Sequence, residues 1–170
     1  MYPDANSTMR ITYGQVQGYS PKDGMTYNIQ TTIDGMVAKY QPGDDEFDLP
    51  KSLLDAYQRR DFREYGDNGT LAVGFISNND ITGGNSGSPV INGNGELIGL
   101  AFDGNWEAMS GDIAFDKKYK RTISVDARFV LWCIDVLGGA KNIINELEIR
   151  HAPATVKPKL DKSKLIMKSQ

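Results

Sequence analysis

The residue of this chain best placed to do chemistry is Ser86, in the run Thr82-Gly83-Gly84-Asn85-Ser86-Gly87-Ser88-Pro89. A serine hydroxyl attacks a carbonyl only after a base takes its proton. Acyl transfer then needs hydrogen-bond donors aimed at the oxyanion that forms. The Gly84-Asn85-Ser86-Gly87 stretch suits that second need. Glycine lets the backbone fold so that the N–H groups of Gly84 and Ser86 point into one small space, and side chains at 84 or 87 would crowd it. Pro89 stiffens the exit from the loop. A Gly-rich, Ser-containing loop is also a common turn, so the surrounding elements have to decide between the two readings.

Those elements are mostly short strands. Thr70–Ile76 is β-branched and apolar and leads into the loop. Pro89–Ile91, the Asn92-Gly93-Asn94-Gly95 turn and Glu96–Phe102 read as a hairpin, because Asn-Gly pairs accept left-handed turn conformations. The serine therefore lies between two strands, unlike the strand-to-helix elbow of α/β-hydrolases. The hairpin returns Phe102 and Asp103 to where a specificity wall would stand; packing in the core and capping of a turn at Gly104-Asn105 are their alternatives, and core packing is also the alternative for Trp106. Residues 8–18 alternate apolar and polar through Met9, Ile11 and Tyr13, the period of a strand with one buried face. Tyr27–Asp34 reads as a returning strand and Pro50–Arg60 as a short helix with Leu53, Leu54 and Tyr57 on one face. Thr122–Val125 is a further strand. Asp126 is placed to cap a helix over Ala127–Leu137 that ends at Gly138-Gly139, and a last helix is expected over Lys141–Glu148. Short strands with a terminal helix indicate a small antiparallel barrel.

Composition bounds the partners. The 170 residues carry a net charge of −3, so no strong field recruits nucleic acid. The single cysteine, Cys133, excludes an internal disulfide. No apolar run approaches the ~20 residues of a membrane span. No metal-ligand cluster and no cofactor motif stands out. Residues 151–170 hold five lysines against Asp161 alone and show no periodicity, so 1–150 is read as the folded unit and 151–170 as a basic, mobile tail.

The long run Thr82–Val90, continued by Gly95 through Asp112, resembles the bacterial dipeptidyl-peptidase family of chymotrypsin-clan serine peptidases, with Arg121–Asp126 and Tyr2–Thr8 fitting the same pattern. The resemblance covers roughly residues 2–150. It implies a mainly β fold: the second barrel of a chymotrypsin-like double barrel, with its C-terminal helix. It implies that Ser86 is the nucleophile and that the N–H groups of Gly84 and Ser86 form the oxyanion hole. Asp103 would receive the free α-amino group of an oligopeptide substrate, Phe102 would border it, and Gly104 would lie at the S1 pocket. Acid-preferring members carry arginine at that position, so glycine implies a hydrophobic P1 residue. The histidine and aspartate of the triad would come from a first barrel, with a helical insertion between them. Neither region is in these residues, so the chain is expected to be inactive alone. His151, the only histidine, follows the last helix beside the basic tail and is not read as the base. Asp4, Asp80 and Asp112 match no triad acid. The apolar face that would meet the first barrel implies association into homo-oligomers. The family resemblance places the protein in the periplasm or at the cell surface of a Gram-negative bacterium. Two other readings share the loop: a non-catalytic binding or assembly module, and a glutamyl endopeptidase with no need of an amino anchor.

Overall fold

A computed structural model describes residues 7–108, 116 and 118–151. The described residues open with an irregular stretch and then a hairpin of β1 (Tyr19–Lys22) and β2 (Met25–Tyr27), turned by Gly24 at φ 72°. The main sheet is antiparallel and five-stranded, in the order β3 (Gln30–Thr32), β4 (Ala72–Ser77), β7 (Thr122–Asp126), β6 (Leu97–Gly104), β5 (Pro89–Ile91). Helices α1 (Ile33–Val37) and α2 (Lys51–Gln58) lie between β3 and β4, while α3 (Ala127–Trp132) and α4 (Lys141–Glu146) follow β7. The mainly β architecture with a C-terminal helix is the one expected.

The core sits where these helices meet the sheet. Ile33, Leu53, Ala56, Phe62, Tyr65, Leu71 and Trp132 form one buried cluster. Trp132 is fully buried, and its indole N–H donates to the Asp61 carbonyl at 2.8 Å, so the ring adds apolar area without stranding a donor. Helix α3 packs on β6, β4 and β7 and thereby braces the strands that carry the site.

Several local expectations hold. The Asp126 carboxylate accepts the Arg128 N–H at 2.9 Å as an N-cap. The helix it starts runs on as a wider π-helical turn over Cys133–Leu137 and ends at Gly139, φ 62°. In the β5–β6 turn Asn92 Oδ1 accepts the N–H groups of Asn94 (2.9 Å) and Glu96 (3.1 Å). Helix α4 stops at Glu146, two residues short of the expected end.

Two expectations fail. Residues 8–18 form no strand with a buried face: Met9, Ile11 and Tyr13 are 88%, 80% and 92% exposed, and only Val16 makes a bridge, with Ser77. The ladder is replaced by pinning to Asn78, whose Oδ1 accepts the Gln15 N–H at 2.7 Å and whose own N–H donates to the Gln15 carbonyl at 3.0 Å. Gly14 permits that approach, since a Cβ there would lie 2.5 Å from Asn78 Oδ1. The strand expected over Tyr27–Asp34 is divided between β2, β3 and the start of α1, because Asp34 turns into a hub. It accepts from Thr70 Oγ1, from Tyr57 at 2.8 Å and from Arg60 at 2.8 Å. The tail expected over 151–170 lies outside the described residues, apart from His151.

Candidate functional site

The loop that carries Ser86 is held at both ends. Before it, Asp80 pairs with the buried ammonium of Lys120, and the Thr122 hydroxyl donates to the Asn79 carbonyl at 2.9 Å. At its start the Asn85 side chain folds back, so that its Oδ1 accepts the Thr82 N–H at 2.8 Å, while the Asn85 N–H donates to the Thr82 carbonyl at 3.2 Å. At its end Gly87 N–H donates to the Ala101 carbonyl (2.7 Å) and Ala101 N–H to the Ser88 carbonyl (2.9 Å), which carries the β5–β6 ladder up to the serine. Pro89 opens β5, an edge strand, where a missing N–H costs no ladder bond. Gly84 and Gly87 have φ of 87° and 82°, the left-handed conformations the loop requires.

Ser86 is exposed at the tip of this loop, and its hydroxyl donates to the Phe102 carbonyl at 3.0 Å. Among the described residues no acceptor takes the N–H of Gly84 or of Ser86. An exposed hydroxyl beside two unclaimed backbone donors is what acyl transfer requires of a loop.

Strand β6 brings the second half of the site. Its pairing with β7 shifts between Ala101↔Ser124 and Asp103↔Ile123, leaving Phe102 as an extra residue. A regular strand would alternate faces, so that Asp103 would point inward like the buried Ala101. The bulge instead leaves Phe102 and Asp103 both exposed. The Phe102 carbonyl that holds the Ser86 hydroxyl belongs to the peptide leading into Asp103, so nucleophile and carboxylate share one backbone support. Asp103 Oδ1 accepts the Gly104 N–H at 2.7 Å, the capping role seen as its alternative, and its side chain stays exposed. Core packing of the aromatics is overturned: Phe102 is 49% and Trp106 81% exposed. At Gly104 a Cβ would meet Ala108 Cβ at 3.4 Å and the Arg121 carbonyl at 3.9 Å, so a side chain fits there without backbone change.

The turn after β6 is tied to the β1 hairpin. The Tyr19 hydroxyl donates to Glu107 Oε2 at 2.6 Å. Burial first, and then the bond to Glu107, pushes the Tyr19 phenol up to about 12, and the same bond holds the Glu107 carboxyl below its ordinary value. The Arg121 guanidinium donates to the carbonyls of Gln17 and Gly18, both at 3.0 Å, and burial lowers its pKa.

The structure thus brings Ser86, Gly84, Phe102, Asp103 and Gly104 onto adjoining segments. His151 stands exposed beyond α4, and none of the bonds among the described residues joins it to Ser86. Asp80 is taken up by Lys120, and Asp4 and Asp112 lie outside the described residues. No group of three or more His, Cys, Asp or Glu side chains among the described residues could hold a metal ion. No described helix is long and apolar enough to cross a membrane.

Comparison with known proteins decides the family. The family model described as Peptidase S46 matches residues 1–149. The chain belongs to the Peptidase S46 family. Among its relatives in that family, dipeptidyl-peptidase 7 of Capnocytophaga gingivalis is 59% identical over 154 residues, covering 88% of this chain and 21% of that protein. The Asp/Glu-specific dipeptidyl-peptidase of Flavobacterium psychrophilum is 52% identical over 151 residues, covering 89% of this chain and 21% of that protein. A crystal structure of Porphyromonas endodontalis DPP11 in complex with substrate superposes with a TM-score of 0.80 at 41% identity, over 86% of this chain and 22% of the other. The chain spans about a fifth of the length of the curated relatives it matches.

Proposed function

We propose that these residues are the nucleophile-bearing part of a serine dipeptidyl peptidase that releases dipeptides from the N-termini of oligopeptides. The observation that carries the reading is the Ser86 loop: an exposed hydroxyl between glycines at positive φ, with the Gly84 and Ser86 N–H groups unclaimed among the described residues. In the whole polypeptide a histidine base would take the Ser86 proton as the hydroxyl swings from the Phe102 carbonyl to the scissile carbonyl. The two N–H groups would receive the oxyanion. Asp103, turned outward by the bulge, would pair with the free α-amino group and so limit cleavage to the second residue. Gly104 would leave an uncharged pocket for a hydrophobic P1 side chain. Treating the full-length polypeptide with a fluorophosphonate and mapping the adduct tests the assignment. Labelling at Ser86, with dipeptide release abolished by Ser86→Ala, is the expected result; labelling elsewhere would overturn it. The 170 residues alone, whose only histidine is exposed beyond α4, should turn over nothing, because losing a triad member costs about 10⁴–10⁶ in rate.

A second reading, a binding module that keeps the fold and does no chemistry, shares the same exposed loop. A full-length polypeptide that binds oligopeptides but takes no fluorophosphonate would decide for it. The exposed stripe of Met9, Ile11 and Tyr13 supports homo-oligomers of the isolated chain, which sedimentation as a monomer at high concentration would contradict. The family resemblance supports a periplasmic or cell-surface location, to be checked by cell fractionation.

A further inference from the structure

Asn105, the first residue after β6, is 6% exposed and makes bonds out of proportion to its size. Its N–H donates to the Arg121 carbonyl at 3.0 Å, and its Oδ1 accepts the Arg121 N–H at 2.7 Å. Its Nδ2 donates to the Tyr119 carbonyl at 2.8 Å and to Glu107 Oε2 at 3.0 Å. Its own backbone carbonyl turns away to accept the Ala108 N–H at 2.9 Å.

This arrangement solves a geometric problem. The chain must leave the sheet directly after Gly104, yet the last ladder pair, Gly104↔Thr122, must stay closed. A strand that departs takes its carbonyl with it and leaves the facing N–H without an acceptor. Here the Asn105 side-chain oxygen stands in for that carbonyl on Arg121. The ladder gains one more rung while the backbone is already turning.

The rung matters because of the bulge three residues earlier. Phe102 is extra only while Ala101↔Ser124 and Asp103↔Ile123 both hold. A slip of one residue beyond the bulge would carry Asp103 to the other face of the sheet. Beyond Phe102 the register is held by only two ladder pairs, Asp103↔Ile123 and Gly104↔Thr122, and by Asn105 on Arg121, which closes that short stretch at its end. We infer that Asn105 is a positioning residue that locks the β6 bulge in register and so sets Asp103 and Gly104 relative to Ser86. The inference rests on the reading of those three residues as a peptidase site. It adds a buried residue that acts on substrate placement rather than on the nucleophile.

The test uses the full-length polypeptide and two substitutions, Asn105→Ala, which removes every side-chain bond, and Asn105→Ser, which keeps a short hydroxyl in place of the amide. Two quantities are compared: the rate of fluorophosphonate labelling of Ser86, which needs no amino anchor, and KM and kcat/KM for an unblocked dipeptidyl substrate. Misplacement by about 1 Å costs up to about 10²-fold. Asn105→Ala is expected to raise KM and lower kcat/KM about tenfold to a hundredfold, with labelling slowed by less than about threefold and Asn105→Ser in between. If Asn105→Ala does not fold, Asn105→Ser carries the same comparison at smaller amplitude. Values of KM and kcat/KM within about twofold of the parental protein overturn the role of Asn105, and so does labelling that falls in step with kcat/KM, since general loosening lowers both. A parental protein that neither labels at Ser86 nor releases dipeptides overturns the site reading itself, a result that the variants do not influence.

Discussion

Replacing Gly104 by arginine in the full-length polypeptide should shift the P1 preference from apolar toward acidic side chains. The structure allows the substitution: a Cβ at Gly104 has only ordinary contacts, 3.4 Å to Ala108 Cβ and 3.9 Å to the Arg121 carbonyl, and the backbone there is not in a left-handed conformation. Two effects then add in the ratio of rates. A charged hydrogen bond between the guanidinium and an acidic P1 side chain gains about 1.5–3 kcal/mol. An apolar P1 side chain loses the burial that the open glycine site offers, about 1.5–3 kcal/mol when burial is complete. Ordering the long arginine side chain costs about 1.5–2 kcal/mol. Gly104 is only half-buried, so the lower ends of the two gains apply, and the net swing is about 1–1.5 kcal/mol. That corresponds to about 5- to 13-fold in relative kcat/KM. The assay measures kcat/KM for two unblocked dipeptidyl substrates that differ only in Leu or Asp at P1, in parental protein and Gly104→Arg. The parental protein should prefer Leu and the variant should move toward Asp. A Leu/Asp ratio changed by less than about twofold, with Ser86 still labelled at the parental rate, would refute the placement of Gly104 at the P1 side chain.

Gly99→Ala should destabilise the sheet by about 1–3 kcal/mol in urea denaturation, because the added Cβ would lie 2.5 Å from the Val125 carbonyl oxygen and 2.6 Å from the ring of buried Phe75; a change below about 0.5 kcal/mol would show that β6 and β7 separate freely. Asp34 should be an acid-stability residue. The Thr70 hydroxyl, then Arg60 and Tyr57, bonded to its carboxylate, hold its pKa at about 2, below the ordinary 3.8. A depressed carboxylate contributes its stability above the ordinary value and loses it as pH falls from about 4 through about 2. Asp34→Asn should therefore lower Tm by a constant amount above pH 5, with the two curves converging below pH 4; curves that stay parallel down to pH 2 would remove Asp34 from that role.

Much of the site was legible in the sequence because its signals are local. Gly84 and Gly87 occupy the left-handed conformations that their positions in the loop suggest. The Asn92–Gly95 turn, the Asp126 cap and the end of the helix at Gly139 each depend on residues a few positions apart. The family match runs over residues 1–149 and takes in all of these features. Alternation alone misled at Met9, Ile11 and Tyr13, since period two describes an extended chain and does not say whether a sheet lies beneath it.

By itself, then, the sequence determined the turn-and-glycine chemistry of the Ser86 loop and the order of strands that flank it, because backbone conformation there follows from which side chains are absent. Tertiary structure decided the rest: that Phe102 is a bulge, that its carbonyl holds the Ser86 hydroxyl, that Asp103 faces outward, and that Asn105 closes the ladder on Arg121. Each of these depends on contacts between residues 16 to 23 positions apart, as in Ser86 with Phe102 and Ala101 with Ser124. Register is a property of two strands at once, and no pattern within either strand alone specifies it.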